Sequence, residues 1–262
     1  MTLLVYKTLL EDFFRKVLVP LEKDEVYIAL IVARKKYGAS RSEEMLDKLI
    51  LKRSDTEYLV RKFQKFCQVE NCYLDRNTGK PIPPESMAVY IDLAPRSAMK
   101  AYRDFINSVE RWSSQLTNLL LNGNLGEAER VLKNFRRLDT KLFSSLAKSP
   151  ARSPYRIVDI DEKSSALLKK VLGALKEHVV WVTETRGGYH VIVRNNRDTG
   201  IIFHEVLRGL DKVELQFGKR LMTPLPGTMQ GGFMVNGEEA FEAIKAATGK
   251  NTFPALSDKR KG

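Results

Sequence analysis

Residues 26–33, Val-Tyr-Ile-Ala-Leu-Ile-Val-Ala, form an unbroken apolar run of strand length, rich in β-branched side chains. Such a run has to be buried on both sides. It reads as a buried strand, although a stretch apolar on both faces leaves a buried helix segment open. The chain has 262 residues, 43% of them apolar and 29% charged. That is room for one large or two small domains, and the composition excludes a disordered or fibrous chain.

Around this run the pattern predicts a mixed order of elements. Residues 3–18 carry Leu3, Leu4, Leu10, Phe13, Phe14, Val17 and Leu18 at helical spacing, and Pro20 stops the helix. Residues 42–66 read as one helix with a basic face, and 75–84, rich in Pro, Gly and Asn, as a loop. Residues 87–93 read as a strand, with Ser97 capping a helix that follows. Residues 98–147 are helical throughout, broken into a hairpin at 122–126. The Ser/Pro/Arg connection at 149–154 is the best internal boundary.

Beyond it the period changes. Strand 155–161, helix 164–175, strands 178–185 and 189–194 around an Arg186-Gly-Gly188 turn, helix 201–210 and the alternating strand 212–217 are expected in that order. Residues 223–232 read as a Gly/Pro loop, 237–248 as a last helix and 251–262 as a frayed end.

The net charge of +12 divides into +7 over residues 1–150 and +5 over the rest, so it belongs to the folded body rather than to a tail. A basic body suits a polyanion such as nucleic acid or an anionic membrane surface; a merely basic globular protein fits as well. Two cysteines, Cys67 and Cys72, exclude a disulfide scaffold and point to a reducing, cytoplasmic compartment. Only three histidines are present and Cys67-x4-Cys72 has no second pair, which argues against a zinc finger. No apolar run approaches the roughly 20 residues that span a bilayer, and the first residues read as an amphipathic helix rather than a signal peptide.

Three features carry potential chemistry. In Ile157-Val-Asp-Ile-Asp161 the strand period puts Asp159 and Asp161 on one face. Two carboxylates so placed can hold a hard divalent cation. Acidic pairs at this spacing occur elsewhere, as Glu22/Asp24, Asp55/Glu57 and Glu127/Glu129. The Asp159/Asp161 pair differs from these in ending an apolar strand, where Asp is depleted. In Thr185-Arg-Gly-Gly-Tyr-His190 the glycines would let a phosphate approach backbone N–H groups, and His190 could donate to a phosphate oxygen; an ordinary Gly-Gly hairpin explains the segment too. Glu214 lies on the polar face of its strand and is equally readable as a solvated partner of Lys212 or Lys219.

In order, these features run apolar-apolar-Asp-apolar-Asp, then Gly188-Tyr-His190, then Val213-Glu214, then a basic stretch and Pro226-Gly-Thr. The series resembles the catalytic module of the archaeo-eukaryotic primase superfamily, which includes primase-polymerases. It covers about residues 155–232, with a weaker likeness at 87–100. Gly188 stands where that family often has Ser, and Glu214 where it usually has Asp.

The resemblance implies an α+β fold: an N-terminal α/β module (1–97), a helical insertion (98–150) and a catalytic module with an RRM-like antiparallel sheet (151–262). It implies DNA-directed nucleotidyl transfer from NTP or dNTP on a single-stranded template, with two ions, Mg²⁺ or Mn²⁺, held by Asp159, Asp161 and Glu214. Phosphates would meet His190, Gly188, Gly187, Arg186 and Lys163 or Arg220, and template phosphates Arg96, Lys219, Arg136 and Arg137. A helicase or other replication proteins are implied as partners. The alternative is a non-catalytic nucleic-acid-binding replication or initiator protein of the same fold.

Overall fold

The computed structural model describes residues 2–39, 44–69, 72–75, 78–218 and 220–235. The chain opens with α1 (Lys7–Val17), strand β1 (Glu25–Ala33), β2 (Glu44–Leu51) and α2 (Thr56–Phe66). Strands β3 (Met87–Asp92) and β4 (Arg96–Ser97) lead into α3 (Ala98–Leu121), α4 (Leu125–Phe135) and α5 (Leu138–Ala147). Then come β5 (Tyr155–Ile160), α6 (Ser165–Leu175), β6 (Val179–Glu184), β7 (Tyr189–Arg194), α7 (Arg197–Ile202) and β8 (Val213–Gln216). Three short strands follow: β9 (Met222–Pro224), β10 (Met229–Gln230) and β11 (Phe233–Met234). The architecture is α+β. The helix expected over 237–248 and the frayed end at 251–262 lie outside the described residues.

The apolar run 26–33 is a strand. It sits inside a sheet ordered β11-β10-β3-β1-β2, with β4 also pairing β1 and β9 pairing β3. All the pairings are antiparallel. One face, with Tyr27, Ala29, Ile31, Val89 and Ile91, packs into the main core with α1 and α2. There Phe14 meets Phe63 at 5.3 Å between ring centroids. A fully buried Phe of this kind contributes about 1.5–3 kcal/mol relative to exposure. At one end of the other face Val26 and Ile28 pack against Ala101, Phe143 and Leu146 of the helical segment.

Three expectations change here. Residues 42–66 are not one helix: the first half is β2, and only 56–66 is helical, capped by the Asp55 carboxylate accepting from the Tyr58 N–H. Among the described residues β2 pairs with β1 alone and is half exposed, and its apolar Met45, Leu46, Leu49 and Ile50 follow a helical spacing rather than strand alternation. The insertion holds three helices rather than a two-helix hairpin, with a second break at Arg136 and Arg137. The Gly/Pro stretch at 223–232 includes short strands that join the first sheet, so the 151–262 span contributes to both sheets.

The second sheet is ordered β6-β7-β5-β8 and is antiparallel throughout. Its connectivity is two interlocked split β–α–β units, one through α6 and one through α7. Val158, Ile160, Val182, Val191 and Val213 fill one face under Leu168, Val171 and Leu172 of α6. The strand period sends Ile157 and Ile192 to the opposite face, where they join Trp181 in the main core. Phe13 of α1 packs edge-on against Trp181 at 5.5 Å. Ser164 caps α6 through the Leu167 N–H. Beyond α7 the chain widens into a π-helical turn, Phe203–Leu207, in place of the continuous helix expected to residue 210. Among the described residues no helix is long and apolar enough to cross a membrane.

Candidate nucleotide site

The polar end of the second sheet's core-facing side holds a row of four residues. Asp159 on β5 stands opposite His190 on β7 and opposite Glu214 on β8, while His190 also stands opposite Thr183 on β6. Directly opposed residues in antiparallel pairs share a face, with Cβ atoms about 5 Å apart. The row therefore brings together the three acidic and histidine features that lie apart in the sequence. Asp161 follows two positions after Asp159, and its N–H donates to the Lys212 carbonyl at 2.9 Å, which extends the β5–β8 pairing to it.

The Asp159 carboxylate is held from two sides. His190 Nε2 lies 3.3 Å from Oδ1, and Gln216 Nε2 donates to Oδ2 at 2.7 Å. Burial by itself would raise the Asp159 pKa. The hydrogen bond and charge of His190, the Gln216 amide and the positive charge of Lys36 outweigh it and hold the carboxyl below its usual range. His190 is directed at Asp159 rather than at solvent, and its Nδ1 is buried with no hydrogen-bond partner among the described residues.

Asp159, Asp161, His190 and Gln216 form one wall of a cleft of about 820 Å³ between the two sheets. Across it stand Arg34, Lys36, Tyr37 and Tyr90 of the first sheet, and Arg220 also lines it. Leu30, Val32, Met45 and Phe143 add an apolar portion. Glu214 is exposed and is not a lining residue, although it neighbours Asp159 in the sheet.

The glycine turn takes a different role from the expected phosphate nest. The Gly187 and Gly188 N–H groups donate to Thr185 Oγ1 at 3.3 and 3.0 Å. The Arg186 N–H donates to Gln230 Oε1 at 2.8 Å, and the Arg186 side chain to the Gly231 carbonyl at 2.6 Å. The turn is thereby closed on itself and clamped to the first sheet. Gly188 answers a steric need instead: a Cβ there would lie 1.8 Å from the Ile160 carbonyl oxygen at the end of β5.

The other expected cations divide. Lys163 pairs with Glu184 at 2.9 Å and sits 3.7 Å over the Phe233 ring, so it is engaged outside the cleft wall. Arg96 is not on a nucleic-acid-facing surface. It is fully buried and paired with Asp92, because β4 pairs with β1 and its side chain turns inward. Arg136 and Arg137 are exposed at the α4–α5 connection. Lys219 lies outside the described residues.

Sequence reasoning missed Gln216, Arg34, Lys36, Tyr37 and Tyr90. Gln216 had a signal, since it lies two positions after Glu214 on the same strand face. The run Arg34-Lys-Lys-Tyr37, emerging directly from an apolar strand, was a second.

The donor chemistry suits a hard cation. Asp159 and Asp161 both line one wall, while Glu214 neighbours Asp159 in the sheet register but stands exposed outside the cleft. Among the described residues no three His, Cys, Asp or Glu side chains are already gathered into a metal-holding group. Mg²⁺ commonly binds through one or two carboxylates plus substrate phosphates rather than in an all-protein cage. No protein family, curated protein or solved structure gives a match to this chain.

Proposed function

We propose that the cleft is a nucleotidyl-transfer site of the primase-polymerase kind, working on a single-stranded DNA template with NTP or dNTP. The observation that carries the reading is the register that sets His190 and Glu214 on either side of Asp159. The β5-α6-β6-β7-α7-β8 connectivity, with strand order β6-β7-β5-β8, supports it as an RRM-like module.

In this reading Asp159 and Asp161 hold Mg²⁺ or Mn²⁺, with Glu214 as third oxygen donor. Such ions, when bound, activate the attacking 3′-hydroxyl and neutralise the charge that develops on the leaving pyrophosphate. The chain itself supplies positioning. His190 and Gln216 fix the Asp159 carboxylate and favour its charged form against the cost of burial. The cationic wall neutralises phosphate charge, a large share of what a protein contributes to phosphoryl transfer. Arg136 and Arg137 offer sequence-independent contact to a template strand. A helicase or other replication protein as partner, in a reducing compartment, belongs to the same proposal.

One observation favours a second reading, a nucleic-acid-binding replication or initiator protein without catalysis. Both Asp159 oxygens already have protein partners, His190 and Gln216. The test is incubation with single-stranded DNA, labelled NTPs or dNTPs and Mg²⁺ or Mn²⁺. Nucleotidyl transfer predicts product from the native chain and a loss of about 10²–10³-fold or more in Asp159→Asn and Asp161→Asn. Bound DNA with no product of any length, beside a working polymerase in the same buffer, leaves the second reading.

A further inference from the structure

The second sheet spends most of the groups expected to bind phosphate. The turn N–H groups serve Thr185 and Gln230, Lys163 serves Glu184, and His190 serves Asp159. The cations that line the cleft come instead from the turn after β1, with Arg220 beside them.

That turn is built into the fold. Arg34 donates through Nη1 to the Tyr90 hydroxyl at 2.9 Å and lies 5.7 and 6.0 Å from the Tyr37 and Tyr90 ring centroids. Gln230 Nε2 donates to the same hydroxyl at 3.3 Å, and its Oε1 accepts the Arg186 N–H. Arg186 in turn lies 5.0 Å from the Tyr37 centroid. The ring of contacts ties the first sheet to the glycine turn of the second and holds the cationic turn opposite Asp159. Lys36 is close enough to act on the charge of that carboxylate. Beyond the charged part, Leu30, Val32 and Phe143 give the cleft an apolar side.

We infer that Lys36 and Arg34 of the first sheet bind the phosphates of a nucleoside triphosphate whose base lies against Leu30 and Val32. The inference rests on the cleft being the nucleotidyl-transfer site and assigns the nucleotide's phosphates to a different sheet from the acidic row. Three properties select this ligand class. Opposed acidic and basic walls suit a polyphosphate with its cation between them. An apolar side with an aromatic neighbour suits a planar base. About 820 Å³ accommodates one nucleotide-sized ligand rather than a duplex.

The test is calorimetric titration of ATP, inorganic tripolyphosphate and a single-stranded oligonucleotide into the full chain, in Mg²⁺ buffer. Lys36 is exposed, so Lys36→Gln leaves the core intact, and its exposed neighbour Lys35, which does not line the cleft, supplies the control Lys35→Gln. ATP is expected to bind about tenfold more weakly to Lys36→Gln, the loss of one charge-assisted contact. Lys35→Gln should stay within about twofold, as adjacent surface charge is worth little. Tripolyphosphate is expected to bind at least about tenfold more weakly than ATP, for want of a base to bury.

Equal ATP affinity in the native and Lys36→Gln chains, an equal loss in Lys35→Gln, or no ATP binding at all would overturn the assignment. Tripolyphosphate binding as well as ATP would overturn the base contact. Oligonucleotide binding weakened by Lys36→Gln with ATP unaffected would give the turn to strand phosphates and overturn it too. ATP binding that needs Lys36, in a chain that makes no polymer, keeps this inference and removes the polymerase reading. Polymer synthesis with an unchanged nucleotide KM in Lys36→Gln does the reverse.

Discussion

His190 Nε2 lies 3.3 Å from Asp159 Oδ1, although a helix, a strand and a turn separate the two residues along the chain. The pair, with Gln216 and Lys36, holds Asp159 below the ordinary Asp value of about 3.9 against the opposing effect of burial. A carboxyl whose folded pKa is depressed stabilises the fold above its unfolded value and loses that contribution as pH falls through the lower, folded one. The stability of the native chain relative to Asp159→Asn should therefore fall between about pH 5 and pH 2.5. Urea unfolding of both chains across that window measures it, and a difference flat down to pH 2.5 would contradict the assigned environment.

Gly187 and Gly188 are neighbours with opposite expected tolerance. A Cβ at Gly188 would meet the Ile160 carbonyl at 1.8 Å and the Glu162 nitrogen at 2.7 Å, whereas one at Gly187 meets nothing within 4 Å. Both obstacles at Gly188 are backbone, so the turn and the end of β5 have to part. Gly188→Ala should cost about 2–3 kcal/mol and Gly187→Ala less than about 0.5. Thermal or urea denaturation distinguishes them, and equal stabilities would refute the close approach.

Asp92 and Arg96 form a buried ion pair, with Asp92 at 3% and Arg96 at 0% exposure. Asp92 Oδ1 also accepts the Ala94 and Leu221 N–H groups, which anchors the segment beside Arg220. Asp92→Ala strands a buried guanidinium and should cost about 3–5 kcal/mol. Asp92→Asn with Arg96→Met keeps an acceptor for the two N–H groups and removes the charge, so it should be the more stable of the two variants. A cost below about 1 kcal/mol for Asp92→Ala would show that the pair is not sealed from water.

Arg136 and Arg137 are the exposed pair assigned to template phosphates. For single strands each neutralised phosphate contributes about 0.7 to the slope of log affinity against log salt. Replacing both by Gln should lower the slope by about 1.4 if both make contact. Fluorescence anisotropy with a labelled oligonucleotide at several NaCl concentrations reads it, and an unchanged slope would take these arginines off the strand's path.

Much of the chain's order was legible because local rules govern it. Ser97 and Ser164 cap helices where expected. The alternation around Asp159 and Glu214 described two real strands. Legibility failed where a local pattern pointed to another element or was absent. Residues 44–51 carry their apolar side chains at helical spacing, because the strand is half exposed and a register shift against β1 breaks its alternation. Strands of two or three residues at 222–234 carry no period at all and exist through their partner, β3, and one another. Arg96 shows the same limit, since a lone arginine in a turn carries no mark of burial.

By itself the sequence determined the mixed α+β class, the change of pattern after residue 154 and the placement of Asp159 and Asp161 on one strand face. Those follow from side-chain period and capping, which act within a few residues. Only the tertiary structure decided that His190 and Glu214 flank Asp159, that Thr185 consumes the turn's N–H groups, and that Lys36 faces the carboxylate across a cleft. Strand order and sheet-to-sheet packing create those relationships by burying apolar faces far apart in the chain, and no short window of sequence records which faces will meet.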